Sequence, residues 1–305
     1  MKPQRLPQST CPRSGVTMIE ALTVLAIIGL LCALILPAVQ SSREAARLLQ
    51  CKTNLKQLAL AVGNYEATFH ELPHSTNFER YSCFVVLLSF LDQAALYDRI
   101  DFKTTTGRTA PELLWTGRPA LLGCPSDPVV RNQPFRVSYN GNSGWIQTRA
   151  DLEADNSNGV MTPIRYKVTS SSIKDGLTQT ALFAEILPGG EAEWRRCVWY
   201  DSDRWAPMSA EQLANQCLAA SGVPDSGFKG NSWTWGFTNV TTYKHVLPPN
   251  SRSCLYVATA GSIHSGGVNL ALTDGSVKFV SDSININLWR AIGTRDGREG
   301  LIFGN

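Results

Sequence analysis

One segment of the sequence has residue types that suit metal chemistry, His70-Glu71-Leu72-Pro73-His74. Zinc proteases use this spacing because two histidines four residues apart on one helix face bind the metal, and the glutamate activates a bound water. Pro73 breaks that requirement, since it lacks a backbone donor and disfavours helical backbone at Leu72. We therefore interpret the match as coincidental and predict no metal site and no cofactor.

His264 and Asp274 are a second candidate for chemistry, as an acid–base pair. Asp274 is followed by Gly275, and an Asp-Gly pair is favoured in tight turns. A structural role for these three residues is therefore the preferred interpretation. The sequence has no Gly-x-Ser-x-Gly element and no phosphate-binding glycine loop, so nucleophilic hydrolases and nucleotide-binding enzymes lack support. We predict that the protein is not an enzyme.

The eight cysteines lie at positions 11, 32, 51, 83, 124, 197, 217 and 254, and no pair has the Cys-x-x-Cys spacing of zinc ribbons and redox motifs. Those beyond the N-terminal apolar segment suit disulfides in an oxidising compartment, although spacing leaves their connectivity open. A buried free thiol fits Cys83 equally well, because this residue begins an apolar run. The candidates for disulfide bonds are Cys51, Cys124, Cys217 and Cys254.

The composition is that of a folded protein. Hydrophobic residues make up 43% of the chain and charged residues 17%, which is unlike a disordered protein. The net charge is only +3 and the basic residues are scattered, so no nucleic-acid partner is predicted. At 305 residues the chain can bury a substantial core.

A long apolar segment runs from Ile19 to Val39, which is enough for a helix to cross a membrane. A basic leader precedes it, and the apolar run is too long for an ordinary secretory signal. A plain signal anchor fits the length but does not explain Glu20. A carboxylate near the start of a membrane span is costly unless it is paired, so Glu20 indicates a function.

Residues 13–20, Arg-Ser-Gly-Val-Thr-Met-Ile-Glu, resemble the processing site of type IV prepilins and of type II secretion pseudopilins. The resemblance implies that prepilin peptidase cleaves after Gly15 and methylates the new amine of Val16, a position where the family usually has Phe. It also implies that Glu20 pairs with the Val16 amine of a neighbouring subunit, and that Pro37 loosens the helix. The alternative is a simple anchor in which Glu20 stays hydrated at the membrane surface.

We predict an α+β fold in which a long N-terminal helix, membrane-spanning in its first half, packs on an antiparallel β-rich globular head, as in pilins. Apolar periodicity extends that helix over residues 17–62, with a stop at Gly63-Asn64. A second helical region is predicted from Phe84 to Ile100. The clearest β element is a hairpin at Asp274-Gly275, and its predicted pairing sets Leu272 opposite Val277 and Leu270 opposite Phe279.

The predicted organisation has four parts. They are a leader (1–15), the transmembrane and assembly half of the helix (16–39), its amphipathic half (40–63) and an extracytoplasmic head (64–305) with an insertion near 195–236. Other predicted strands are 135–139, 164–169, 180–186, 196–200 and 254–258.

Most of the chain, from residue 15 to about 297, resembles the DUF1559 family, a large domain family with no assigned activity that follows prepilin-type leaders and is abundant in planctomycetes. His264 and Asp274-Gly275 match its His-x9-Asp-Gly signature. Further matches are Cys51-Lys52-Thr53-Asn54-Leu55-Lys56-Gln57-Leu58, Cys124-Pro125-Ser126-Asp127, Asp175-Gly176 before a strand ending in Glu185, and Pro248-Pro249-Asn250 before Cys254. The resemblance therefore implies the structural organisation and the location of the protein but not its function.

Two functions are expected from these features. The first is a pilin-like or pseudopilin-like surface subunit, single-pass in the cytoplasmic membrane with its head in the periplasm or at the cell surface. Its partners would be prepilin peptidase, the membrane and other pilin-like subunits. The second is a membrane-tethered module that binds a glycan or peptide, because tryptophan faces stack on such ligands. The tryptophans in question are Trp194, Trp199, Trp205, Trp233 and Trp235, and filling a β-rich core would explain them equally well.

Overall fold

The computed structural model describes residues 17–103, 105–109, 117–145, 157–163, 166–189, 198–199, 210–220, 224–225, 229–237, 240–254 and 257–298. The chain divides into two compact units, an N-terminal unit of Met1–Ala46 and a C-terminal unit of Arg47–Asn305. The α-helices are α1 (Met18–Phe69), α2 (Cys83–Val86), α3 (Ala94–Tyr97), α4 (Pro128–Asn132), α5 (Ala210–Ala219) and α6 (Ile286–Ala291). Short 3₁₀ turns span Leu88–Phe90, Ala120–Leu122 and Ser170–Ser172. The strands are β1 (Tyr139–Asn142), β2 (Ala181–Glu185), β3 (Val198–Trp199), β4 (Pro224–Asp225), β5 (Thr242–Tyr243), β6 (Ser253–Cys254), β7 (Gly267–Leu272) and β8 (Val277–Ser281).

The part of α1 in the C-terminal unit presents a buried stripe to the main core. Cys51, Leu55, Leu58 and Val62 recur at helical spacing and are almost fully buried. They pack with residues of β2 and of the chain around α2. Burial of this stripe fixes this part of α1 in the core of the C-terminal unit, as the sequence predicted.

The predicted stop at Gly63-Asn64 is wrong, because α1 continues to Phe69. Tertiary contacts outweigh the cost of about 1 kcal/mol for a glycine inside a helix. The rings of Tyr65 and Phe90 lie 5.6 Å apart, and the Glu66 carboxylate accepts a hydrogen bond from the Ser170 amide at 2.6 Å. The helix ends before His70, whose φ of 56° leaves the helical region.

The main sheet has the strand order β5-β1-β2-β7-β8. All neighbouring pairs are antiparallel except β1 and β5, which are parallel. A smaller sheet has the order β4-β3-β6 and pairs β3 with β6 in parallel. The predicted α+β fold with a long N-terminal helix is confirmed, but the sheet is mixed and not purely antiparallel.

The hairpin of β7 and β8 forms at the predicted turn, but its predicted register is wrong by one residue. Ala271 lies opposite Val277, and Asn269 lies opposite Phe279. The turn has three residues instead of two: the Leu272 amide donates to the Ser276 carbonyl at 2.8 Å. Gly275 closes the loop with a φ of 81°. A three-residue loop with glycine in the left-handed region moves the pairing by one residue. Val277 and Phe279 therefore lie opposite Ala271 and Asn269 and not opposite Leu272 and Leu270.

Three further sequence predictions need correction. The helix predicted from Phe84 to Ile100 is broken into α2, a 3₁₀ turn and α3, and Asp92 with φ of 55° interrupts it. A left-handed residue cannot continue a right-handed helix. Of the strand predicted at 164–169, residues 166–169 are described and form no strand. The strand predicted at 135–139 is displaced to Tyr139–Asn142.

Candidate functional site

The predicted processing residues, Gly15 and Val16, lie outside the described residues. Glu20 lies in the first turn of α1, where its carboxylate accepts hydrogen bonds from the Thr17 amide at 2.8 Å and the Thr17 hydroxyl at 2.9 Å. This is the contact of a helix N-terminus, whose free amides attract an acidic side chain. Pro37 lies inside α1, which continues on both sides of it.

The N-terminal unit has an apolar surface on every side of its helix. Large apolar side chains such as Leu25, Leu30 and Leu34 are about two-thirds exposed, at 65%, 64% and 66%. Among the described helices, α1 is the one that is long and apolar enough to cross a membrane, by length and composition. A helix with apolar residues on one side only is typical of packing against a globular protein. A helix that is apolar on all sides is typical of a membrane span or of the interior of a helical bundle.

The four cysteines proposed as disulfide candidates form two bonds in the structure. Cys51 bonds to Cys124 with a Cα–Cα distance of 5.3 Å, and Cys217 bonds to Cys254 with a Cα–Cα distance of 5.6 Å. The first bond joins α1 to the loop before α4. Cys83 is a buried free thiol, and burial raises its pKa to about 12. A thiol with so high a pKa is not a nucleophile at neutral pH.

A cluster of four side chains surrounds the first disulfide. The ligand-type atoms of Cys51, Cys124, Glu185 and His264 all lie within 4.8 Å of one another. Nε2 of His264 lies 3.6 Å from Sγ of Cys124. These residues come from α1, two loops and the end of β2, and their exposed fractions range from 0% for Cys51 to 8% for His264. We call this set the Cys–Glu–His cluster.

Glu185 is the buried acid of the Cys–Glu–His cluster. Its two carboxylate oxygens accept hydrogen bonds from the amide and the side-chain Nδ2 of Asn269, each at 2.9 Å. Burial raises the pKa of Glu185, against the lowering effect of these hydrogen bonds and of His264. The sequence analysis named the other members as candidate residues, but it named Glu185 only as the end of a strand. The available signal was a carboxylate at the end of an apolar strand, Ala181–Glu185.

His264 and Asp274 lie at opposite ends of β7, so the structure does not bring this predicted pair together. A strand of six residues spans roughly 20 Å. Asp274 Oδ1 instead accepts hydrogen bonds from the amide and hydroxyl of Ser276, at 2.8 Å and 2.7 Å. Lys56 of α1 donates to the carbonyl of Gly275 at 2.7 Å and so ties the hairpin turn to the helix.

Other residues of the sequence matches hold loops around the Cys–Glu–His cluster. Asn54 donates to the Gly123 carbonyl at 3.3 Å and so links α1 to the loop of Cys124. Asp127 caps α4 by accepting from the Val129 amide at 2.9 Å. Asn250 accepts from the Ser262 amide at 2.9 Å, in the loop that carries His264. Each of these hydrogen bonds uses the side-chain amide or carboxylate, which explains why asparagine or aspartate occupies these three positions.

A family model described as a protein of unknown function, DUF1559, matches residues 40–287. The match covers well over half of the chain and contains the whole Cys–Glu–His cluster. The chain belongs to the DUF1559 family. No curated protein and no solved structure matches it. The match begins after the apolar segment, so membership in DUF1559 does not bear on the leader.

The His70–His74 segment of this DUF1559 protein follows the end of α1 and is not helical. His74 and Glu71 contact each other at 3.8 Å, and Lys167 lies 3.5 Å from the same carboxylate. Burial lowers the pKa of His74. The helical face that a zinc protease requires is absent from this segment, because the two histidines lie on non-helical backbone.

The tryptophans of this DUF1559 protein divide between core and surface. Trp233 is fully buried in the main core, so a packing role explains it. Trp235 is half-buried and stacks on Phe237 with ring centroids 5.1 Å apart, and the guanidinium of Arg108 lies 5.4 Å from its ring. Trp194 and Trp205 lie outside the described residues, and for Trp199 only the backbone is described.

Proposed function

We propose that this protein is a membrane-anchored, pilin-like surface subunit whose N-terminal helix anchors it in the cytoplasmic membrane and assembles with neighbouring helices. The observation that supports this most is the apolar surface on all sides of the helix, with Glu20 near its N-terminal end. A helix of some 20 apolar residues rises about 30 Å, the thickness of the hydrocarbon core. The C-terminal unit would be the extracytoplasmic head.

Glu20 gives the proposed assembly its register. After cleavage following Gly15, the amine of Val16 is a cation four positions before Glu20 in the sequence, and both groups enter the membrane. Isolated charges are costly there, but the amine of one subunit and the Glu20 carboxylate of its neighbour neutralise each other. Within one subunit Glu20 already caps its own helix through Thr17, a contact that leaves further lone pairs for the amine.

Glu20→Ala tests the proposal in the full chain, expressed in a host that has prepilin peptidase. Loss of one partner of a buried pair costs about 3 kcal/mol or more, so cross-linked oligomers in the membrane should fall by more than about 100-fold. Glu44→Ala is the matched control, because it removes a carboxylate from the same helix beyond the apolar segment. Both disulfides should persist in each variant, which shows that the C-terminal unit has folded. Unchanged oligomers in Glu20→Ala contradict the proposal.

A second candidate function is a membrane-tethered module that binds a glycan or a peptide. It is favoured by the half-buried Trp235, which stacks on the exposed Phe237 beside Arg108. Aromatic faces flanked by a cation are common in sites for sugars and peptides. The Glu20→Ala experiment separates the two functions, because a tethered module needs its anchor but no pairing between subunits.

A further inference from the structure

We propose that reduction of the Cys51–Cys124 disulfide converts the Cys–Glu–His cluster into a site for one zinc ion. The ligands would be the two thiolates, the imidazole Nε2 of His264 and the carboxylate of Glu185. The disulfide and the zinc site are then alternative states of the same side chains. This inference concerns the C-terminal unit alone and does not depend on the proposed assembly.

The spacing of the four groups suits a tetrahedral zinc site. With zinc–sulfur bonds near 2.3 Å and zinc–nitrogen bonds near 2.0 Å, ligand atoms of one zinc lie roughly 3.5 to 3.8 Å apart. Nε2 of His264 is already 3.6 Å from Sγ of Cys124. All four ligand-type atoms lie within 4.8 Å of one another. Reduction removes the bond between the sulfurs, and a small rotation of each side chain would then open the central position.

Neighbouring groups hold the ligands in place, as in known zinc sites. Asn269 donates two hydrogen bonds to the Glu185 carboxylate, which fixes its plane and leaves lone pairs for a metal. The Cys124 amide donates to the Ser138 hydroxyl at 2.9 Å, and the His264 amide donates to the Ser262 hydroxyl at 3.1 Å. Because the ligands come from separate elements, the folded chain and not a short motif assembles the site.

Burial favours a cation beside the reduced cluster. Glu185 and Cys124 are 2% and 5% exposed, and an acidic group so far from water is stable either as its neutral acid or beside a positive charge such as a metal ion. His264 also borders an open cavity of about 740 Å³, together with Asn250, Arg252 and Asp282. That cavity provides a path by which an ion reaches the imidazole from solvent, as a metal site needs.

The conversion between the states is balanced by thiol–disulfide exchange. A disulfide-bearing oxidant accepts two electrons: the Cys51–Cys124 bond forms, the bond of the oxidant breaks, and two thiolates of the oxidant and one Zn²⁺ ion leave. In the reverse direction, a dithiol reductant is oxidised to its own disulfide, the Cys51–Cys124 bond breaks, and the two cysteine thiolates released bind the ion. Zinc itself does not change oxidation state.

The test uses the full chain in detergent micelles, reduced and then freed of reductant under anaerobic conditions. Zinc ions are titrated in competition with a coloured chelator, and we expect one tight site per reduced chain and no such site in the oxidised chain. Glu185→Gln and His264→Asn should each lower the zinc affinity by more than about 100-fold. Loss of a metal ligand lowers the affinity more than loss of an outer-shell partner, which costs about 10- to 100-fold. Intact disulfides in each oxidised variant, read by peptide mass spectrometry, show that the variant folds.

The second disulfide provides a control within the same molecule. In the reduced chain, zinc should protect Cys51 and Cys124 from alkylation but leave Cys217 and Cys254 reactive, since no such group of histidine and carboxylate surrounds them among the described residues. A reduced wild-type chain that takes up no zinc overturns the proposal, whether or not it remains folded. Equal protection of both cysteine pairs overturns it as well, as does binding that neither variant weakens.

Discussion

Acidification is expected to destabilise the protein through His245, by about 4 to 5 kcal/mol between pH 6.5 and pH 3. His245 is fully buried between Tyr243 and Trp289, with its ring centroid 4.0 Å from that of Trp289. Its Nδ1–H donates to the Trp289 carbonyl at 2.7 Å, and its Nε2 accepts from the Tyr243 hydroxyl at 2.9 Å. Both nitrogens therefore have the partners that a neutral imidazole requires.

The direction of the effect follows from the two pKa values. Burial lowers the pKa of His245 from 6.5 in the unfolded chain to about 3 in the folded protein, against a smaller raising effect of its hydrogen bond to Trp289. Between these values the unfolded chain binds a proton that the folded protein does not. The contribution of neutral His245 is therefore complete above pH 6.5 and is lost as the pH falls towards 3.

Urea unfolding of the full chain in detergent, measured at several pH values, checks this expectation. His245→Phe removes the titrating group, so its free energy of unfolding should depend less on pH than that of the wild type. At neutral pH the variant should be less stable than the wild type, because it lacks the two hydrogen bonds of His245. The difference in free energy of unfolding between the two proteins should become smaller on acidification. His70→Gln, which removes an exposed histidine, is the control. If the free energy of unfolding depends on pH in the same way for the wild type and for His245→Phe, the expectation is contradicted. Protonation of His245 would then not lower the stability of the folded protein.

Removal of the Cys51–Cys124 disulfide is expected to lower the free energy of unfolding by about 4 kcal/mol. The bond closes a loop with a sequence separation of 73 residues, and the entropy that it removes from the unfolded chain grows with loop length. It also ties α1 to the loop before α4 at the centre of the main core. The paired substitution Cys51→Ala with Cys124→Ala, in urea unfolding of the oxidised chain, measures this contribution.

The second disulfide is the matched comparison for that measurement. Cys217 and Cys254 have a sequence separation of 37, so the paired alanine variant should lose slightly less, by roughly half a kcal/mol. An oxidised Cys51→Ala/Cys124→Ala chain as stable as the wild type would mean that the first bond constrains nothing in the unfolded chain.

The parts of the fold that follow local rules were predictable from the sequence. The long apolar and then amphipathic helix is one example, and the Asp274-Gly275 turn is another. Prediction failed where contacts between residues distant in the sequence determine the structure. The aromatic contact of Tyr65 with Phe90 extends α1 beyond Gly63, and nothing near Gly63 indicates it.

Strand β1 shows a second limit. Its sequence, Tyr139-Asn140-Gly141-Asn142, has poor β-propensity after its first residue. The strand is held in part by its buried asparagine side chains, whose Nδ2 groups donate to backbone carbonyls of neighbouring segments. Asn142 Nδ2, for example, donates to the carbonyls of Ala181 and Gly293 at 2.8 Å and 2.9 Å. These hydrogen bonds depend on residues that are distant in the sequence, so no local sequence pattern indicates them.

The Cys–Glu–His cluster illustrates the same limit for a site. Cys51, Cys124 and His264 were each singled out, but no spacing rule joins positions so far apart in the chain. Glu185 was recognised only as the end of a strand. The fold brings the four together through the β2–β7 pairing and the packing of α1, which are non-local features.

The intact mass and N-terminal sequence of the protein, isolated from its native membrane, test the proposed function most directly. The expected result is a mature chain that begins at Val16 and carries a methyl group on its amine. That result would establish processing by prepilin peptidase and provide the cation that Glu20 needs. A chain that still begins at Met1 would contradict the pilin-like function, since an uncleaved leader leaves no free amine at Val16 to pair with Glu20.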